Sequence, residues 1–184
     1  ECINNQNTTG WYMGDGRTEY YLWGSDKNAT PDYWNHMNHY RLPGTTVDTQ
    51  ERKAVSVLQG NEYLSSKDFV GAVSLRNRYG VAAMELESYH NETDYGIYSA
   101  GGEPNPAHQS DLTARKAYFM FDDEVVCLGN SVNAKANKNA EVLTVVDNLL
   151  SEMISSPEGV LKVAGEREIS GMTWLQIENT CGYV

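Results

Sequence analysis

The chain predicts an all-β fold, an antiparallel multi-stranded β-sandwich, and three observations carry that expectation. Short runs rich in Tyr, Val, Phe and Leu recur along its 184 residues. Clusters of Gly, Asn, Asp and Pro separate them. No heptad pattern, convincing internal repeat or long amphipathic helix interrupts the series. Many strands with little helix bury their apolar faces in a sandwich or a barrel.

Taken in order, the runs predict strands at Glu19–Trp23, Phe69–Leu75, Val81–Ser88, Ala117–Phe121, Glu124–Leu128, Val142–Val146, Gly159–Val163 and Trp174–Glu178. Turn signals divide them at Gly14-Asp15-Gly16, Arg76–Gly80, Asp122-Asp123 and Ser156–Glu158. Leu149–Ile154 is apolar and short, and reads equally as a helical turn or a loop. Asp111–Lys116 has helical composition but too little length. Two connections exceed the roughly 12–15 residues usual for a structureless loop. Asp26 to Thr49 is crowded with Trp34, His36, His39, Tyr40 and Arg41, a composition suited to covering a sugar. Asn91 to Ser110 carries Gly101-Gly102 and two prolines, and reads as mobile.

Composition excludes several functions. A net charge of −11 is the wrong sign for nucleic acid or an anionic membrane surface. No run approaches the ~18 apolar residues of a membrane-inserted helix. Cys2, Cys127 and Cys181 lack metal-ligand spacing. Cys127, inside the apolar run Val125–Leu128, is expected to be a buried thiol. Cys2 and Cys181 can pair only if the fold brings opposite ends of the chain together. Sequons begin at Asn7, Asn28 and Asn91, a pattern that Asn-rich surfaces also produce by chance. The chain opens on Glu1 rather than Met, as expected of a piece processed, trimmed or cut from something longer.

No nucleophile elbow, Cys–His signature or phosphate-binding glycine loop is present. His36 and His39 have the i, i+3 spacing of helical metal ligands, but Pro43-Gly44 follows them, and a surface or substrate-facing loop explains them better. Trp11, Tyr12, Tyr20, Tyr21 and Trp23 are aromatic enough for a carbohydrate platform. Aromatic side chains also fill sandwich cores, and the core is the simpler account. By motif logic alone, Glu1 and Asn4 carry no assignment.

The segment Glu1-x-x-Asn4-x-x-Asn7, followed by Gly10-Trp11 and Gly14-Asp15-Gly16, resembles the opening of a block shared by hyaluronate, chondroitin AC and xanthan lyases, polysaccharide lyase family 8. Asp32-Tyr33-Trp34 and Tyr40-Arg41-Leu42-Pro43-Gly44-Thr45-Thr46 resemble its next motif. Asp68-Phe69-Val70-Gly71, Val81-Ala82-Ala83-Met84, Ala114-Arg115-Lys116-Ala117-Tyr118-Phe119, Leu128-Gly129 and the closing Trp174…Asn179-Thr180-Cys181-Gly182-Tyr183 follow in family order. The resemblance covers residues 1–184 and implies a supersandwich-like central β domain, incomplete at both ends. It implies a catalytic α/α toroid and a smaller C-terminal β domain elsewhere in the same parent chain.

By the same resemblance the parent is a secreted, extracellular lyase acting on an acidic polysaccharide: hyaluronan or chondroitin, with xanthan as the alternative. It would break the bond on the C4 side of a uronic acid by β-elimination. Asn and His of the toroid would neutralise the uronate as enolate-like charge develops. A toroid Tyr would take the C5 proton and return a proton to the leaving oxygen. No metal or organic cofactor is needed for those steps. Glu1 takes the place of a glutamate that orients the toroid's Arg and Tyr. Asn4, and with it Asn7, Trp11 and Arg41, become substrate-binding candidates. Some chondroitin lyases bind calcium through acidic residues just before Pro-Gly; Asn38-His39-Tyr40-Arg41 offers no carboxylate there, so no calcium is expected. The acidic charge is accommodated if the basic cleft wall lies on the toroid. A non-catalytic carbohydrate-binding sandwich and a purely structural one are the rival readings.

Overall fold

The computed structural model describes residues 14–20, 35, 37–49, 67–87, 111–134, 141–148, 153–162, 168–177 and 181–184. Within them the chain forms ten strands in three sheets, and every pairing is antiparallel. Two compact units result, one holding Asn38–Asp147 with the segment up to Glu19, the other Tyr20–Met37 with Asn148–Val184.

The first unit is built on a four-stranded meander of β2 (Val70–Leu75), β3 (Tyr79–Glu87), β4 (Thr113–Met120) and β5 (Val125–Asn133), hydrogen-bonded in that order. The β2–β3 hairpin turns through Arg76 and Asn77, both at positive φ (56° and 52°). The Arg78 N–H closes the turn on the Leu75 carbonyl at 3.1 Å. These are the φ signs of a type I′ turn, whose twist matches that of the flanking strands, and Asn tolerates the left-handed region well. Arg78 then spans to Asp122 on the neighbouring hairpin through an exposed two-pronged ion pair.

Between β4 and β5 the register slips: Arg115 faces Asn130 but Thr113 faces Asn133. Ser131 sits at φ 54° inside this bulge. One extra residue on the edge strand bends it and re-aims its side chains.

Side chains alternate across a strand, so Met84, Leu86, Ala114, Lys116 and Tyr118 share one face of the meander. Leu86 and Ala114 are buried on it, and among the described residues of this unit Leu42, Val47 and Leu112 are buried too. The two-stranded sheet of β1 (Thr46–Asp48) and β6 (Val142–Thr144) joins segments almost a hundred residues apart, with Thr46 Oγ1 and Thr144 Oγ1 3.0 Å from each other.

The second unit contains a four-stranded sheet in the order β10 (Cys181–Tyr183), β9 (Leu175–Ile177), β7 (Met153–Ser156), β8 (Gly159–Lys162). Its β7–β8 hairpin turns on Pro157-Glu158, with Gly159 at φ 112°.

Four expectations need correction. Met153 and Ile154 open a strand rather than ending a helical turn. Thr113–Lys116 likewise belong to β4. Glu19 and Tyr20 carry no strand, and the rest of that expected strand lies outside the described residues. Cys127 is exposed rather than buried, because β5 is the edge of its sheet and all nine of its residues are exposed.

Candidate functional site

The Gly14-Asp15-Gly16 turn and the Arg41-Leu42-Pro43-Gly44-Thr45-Thr46 loop, separated by some two dozen residues of sequence, meet in the first unit. The Thr18 N–H donates to the Pro43 carbonyl at 2.9 Å, and the Thr46 N–H to the Asp15 carbonyl at 3.1 Å. The loop is then stitched to Val145, the residue that follows β6. The Gly44 N–H donates to Val145 O at 2.7 Å, and the Val145 N–H returns to Thr45 O at 2.9 Å. Both turns need glycine. Gly16 sits at φ 89° and Gly44 at φ 77°. A Cβ on Gly16 would lie 2.7 Å from both Lys116 Nζ and Tyr118 Oη, and one on Gly44 would lie 2.9 Å from the Gly16 carbonyl oxygen.

Local sequence shapes the loop that presents Arg41. Asn38 Oδ1 accepts the Tyr40 N–H at 2.9 Å, an Asx turn, and the Asn38 carbonyl accepts the Arg41 N–H at 2.9 Å. Leu42 is fully buried, and its carbonyl accepts both the hydroxyl of Thr45 at 2.6 Å and the Thr45 N–H at 3.2 Å. Anchored on both sides, Arg41 is half-buried and donates through Nη1 to the Tyr40 carbonyl at 2.8 Å. That geometry holds a guanidinium at the surface with its backbone fixed. On the turn side Arg17 and Glu19 form an ion pair.

Beneath the junction, β4 contributes Lys116 and Tyr118. Lys116 Nζ donates to the Gly44 carbonyl, and the Tyr118 hydroxyl donates to the Gly16 carbonyl at 2.9 Å. Lys116 is only 6% exposed and Asp15 only 4%. Burial pushes the Lys116 ammonium down to about 8, against partial support from the negative charges of Asp15 and Cys127. Burial, with the Cys127 charge second, pushes the Tyr118 phenol up to about 12.

Of the expected site residues, Arg41 is placed at this junction. Glu1, Asn4, Asn7 and Trp11 lie outside the described residues, as do Cys2, Trp34, His36 and the three sequons. Among the described residues no three His, Cys, Asp or Glu side chains gather as a metal site. Sequence reasoning missed Lys116 and Tyr118 as partners of the two motifs, although a signal was present. Alternation along Ala114-Arg115-Lys116-Ala117-Tyr118 puts a lysine on the face that buries Ala114, and lysine is rarely buried unless it has a partner.

The family model of the polysaccharide lyase family 8 super-sandwich domain matches residues 1–184. The chain belongs to that family. It is 37% identical over 149 residues to a xanthan lyase of Bacillus sp. (strain GL1), covering 80% of this chain and 13% of that protein. It is 34% identical over 135 residues to a hyaluronate lyase of Thermasporomyces composti, covering 72% of this chain and 14% of the relative. A chondroitinase-AC of Pedobacter heparinus matches at 29% over 195 residues, all of this chain and 22% of its own length. The chain therefore spans less than a quarter of each of these relatives. In three dimensions it is similar to a Paenibacillus xanthan lyase, with a TM-score of 0.68 and 26% identity over 93% of this chain and 14% of that one.

Proposed function

We propose that this chain forms one wall of the substrate cleft in a secreted lyase that cleaves an acidic, uronic-acid-containing polysaccharide by β-elimination. The observation that carries the proposal is the Arg41 loop, a cation braced by the Gly14–Gly16 turn directly after the segment bearing Glu1, Asn4, Asn7 and Trp11. A guanidinium on a fixed backbone suits a sugar carboxylate, which it can grip with two parallel hydrogen bonds. Among the described residues, an open groove of about 520 Å³ lined by Val73, Tyr79, Val81, Phe119 and Phe121 is rimmed by Asp122, Asp123 and Glu124. That rim repels a polyanion, so the groove is the poorer candidate.

In this reading Glu1 orients the Arg and Tyr of an α/α toroid in the same parent chain, and the toroid supplies proton transfer and charge neutralisation. Asn4, Asn7, Trp11 and Arg41 contact sugar. No metal or organic cofactor takes part. Hyaluronan or chondroitin is the preferred substrate. The 37% identity to a xanthan lyase favours xanthan as the second reading. The test is Arg41→Ala in the full-length protein, assayed on all three polymers. A rim cation that grips substrate before and during reaction alike acts mainly on KM, and a rise of roughly 10-fold is expected, the scale of one charge-assisted hydrogen bond. An unchanged KM on a polymer that the parent protein cleaves removes Arg41 from the cleft.

A further inference from the structure

We propose that Lys116, supported by Tyr118, is a positioning residue that locks the Gly14–Gly16 turn to the Pro43–Thr46 loop and thereby fixes the loop that presents Arg41. The inference rests on the cleft-wall reading and names the device that holds that wall in shape.

The geometry is specific. Lys116 Nζ donates to the carbonyl of Gly44, at the apex of one turn, while the Tyr118 hydroxyl donates to the carbonyl of Gly16, at the apex of the other. The two side chains are two residues apart on β4, so they rise from the same face of one strand. Each apex is a glycine at positive φ, and the space that a Cβ on Gly16 would fill is occupied by these same two side-chain tips. The turns also bond each other directly, through Thr18 to Pro43 and Thr46 to Asp15. The junction is thus a closed set of contacts with β4 as its base.

A lysine is an expensive choice for this place. At 6% exposure the residue has lost nearly all its accessible surface, and a well-packed apolar side chain of similar length would serve stability as well or better. The charge makes sense if it holds a backbone carbonyl in a fixed place, since a charge-assisted bond is roughly twice as strong as a neutral one. The titratable groups facing Lys116 are Asp15 from the turn, Tyr118 from its own strand and Cys127 from β5. Its cross-strand neighbours, Met84 and Gly129, carry no charge, and the loop presents the Gly44 carbonyl. Because burial lowers the Lys116 pKa in the closed junction, proton loss above pH 8 favours the closed junction over an opened one with a solvated lysine.

The experiment uses the full-length protein with Lys116→Met and, as a gentler variant, Tyr118→Phe. Hydrogen exchange reads the lock itself. The Thr18 and Thr46 amides should lose protection in Lys116→Met, and less so in Tyr118→Phe, while amides of β3 and β4 keep theirs. Steady-state kinetics reads its consequence. Lys116→Met should lower kcat/KM by about 10-fold or more, the scale of a misplaced contact, with Tm held within about 3 °C of wild type. Above pH 8 the protection of Thr18 and Thr46, corrected for intrinsic exchange, should rise in the wild type and stay flat in Lys116→Met. Unchanged protection at Thr18 and Thr46 overturns the lock. A kcat/KM loss that tracks a general loss of protection across β3 and β4 also overturns it, leaving Lys116 a fold residue. If the parent protein cleaves none of the three polymers, the cleft-wall reading fails by itself, and the exchange data alone then decide whether Lys116 joins the two turns.

Discussion

Gly44→Ala should be the most damaging single-methyl addition in the described loops. At φ 77° an L-residue is strained, which costs on the order of 1–3 kcal/mol. The new Cβ would also lie 2.9 Å from both the Gly16 carbonyl oxygen and Thr18 Cγ2. Because the first of these is backbone, relief requires the two turns to separate, at an overpacking cost of roughly 1–3 kcal/mol. A combined loss of about 3 kcal/mol is expected, equivalent to a Tm fall of roughly 6–12 °C for a chain of this size. Gly129→Ala is the matched control. It stands on the edge strand β5, where an added methyl would meet nothing within 4 Å, and lacks a positive φ. It should be neutral or gain a few tenths of a kcal/mol from reduced unfolded-chain entropy. Urea unfolding of both variants beside wild type supplies the comparison. Equal, small effects would refute the claim that the two glycine turns are pressed against each other.

Stability should climb with pH around Lys116. Its ordinary value of 10.5 falls to about 8 in the fold. Between those values the unfolded chain holds a proton that the folded chain has released, so folding gains as pH rises through this window, and the charge-burial cost is fully present below pH 8. The gain, on the order of 2–3 kcal/mol, should vanish in Lys116→Met when both are unfolded by urea at pH 7.5 and 10; an identical pH response in the two would contradict the assignment. Cys127, on the exposed edge strand, should be alkylated by iodoacetamide in the folded chain before the half-buried Cys181, as mapped by mass spectrometry. The reverse order would show that β5 is covered.

The hairpins were the legible part of the fold. Arg76–Gly80 and Asp122-Asp123 sit between apolar runs, and both become the turns of the meander. β1 was not legible, because three residues inside a Pro-Gly loop carry too little pattern and its partner is almost a hundred residues away. β7 was hidden by the apolar stretch before it, where period cannot separate strand from helix. Apolar character misled at Cys127, since hydrophobicity does not say whether a strand is central or an edge. At the site, Gly14-Asp15-Gly16 looked like an ordinary turn and Pro43-Gly44 like an ordinary loop break. Their partnership is a tertiary fact, made by backbone carbonyls that every sequence has, and only the lysine on a burying face hinted at it.

The most direct test of the account is whether the full-length protein releases C4–C5 unsaturated product from hyaluronan, chondroitin or xanthan, followed by the ultraviolet absorbance of the new double bond. The account predicts steady release from at least one polymer by the full-length protein, and none by residues 1–184 alone, since the proposed proton-transferring groups lie on the toroid. Turnover by the isolated chain, or none by a folded full-length protein on any of the three, would contradict it.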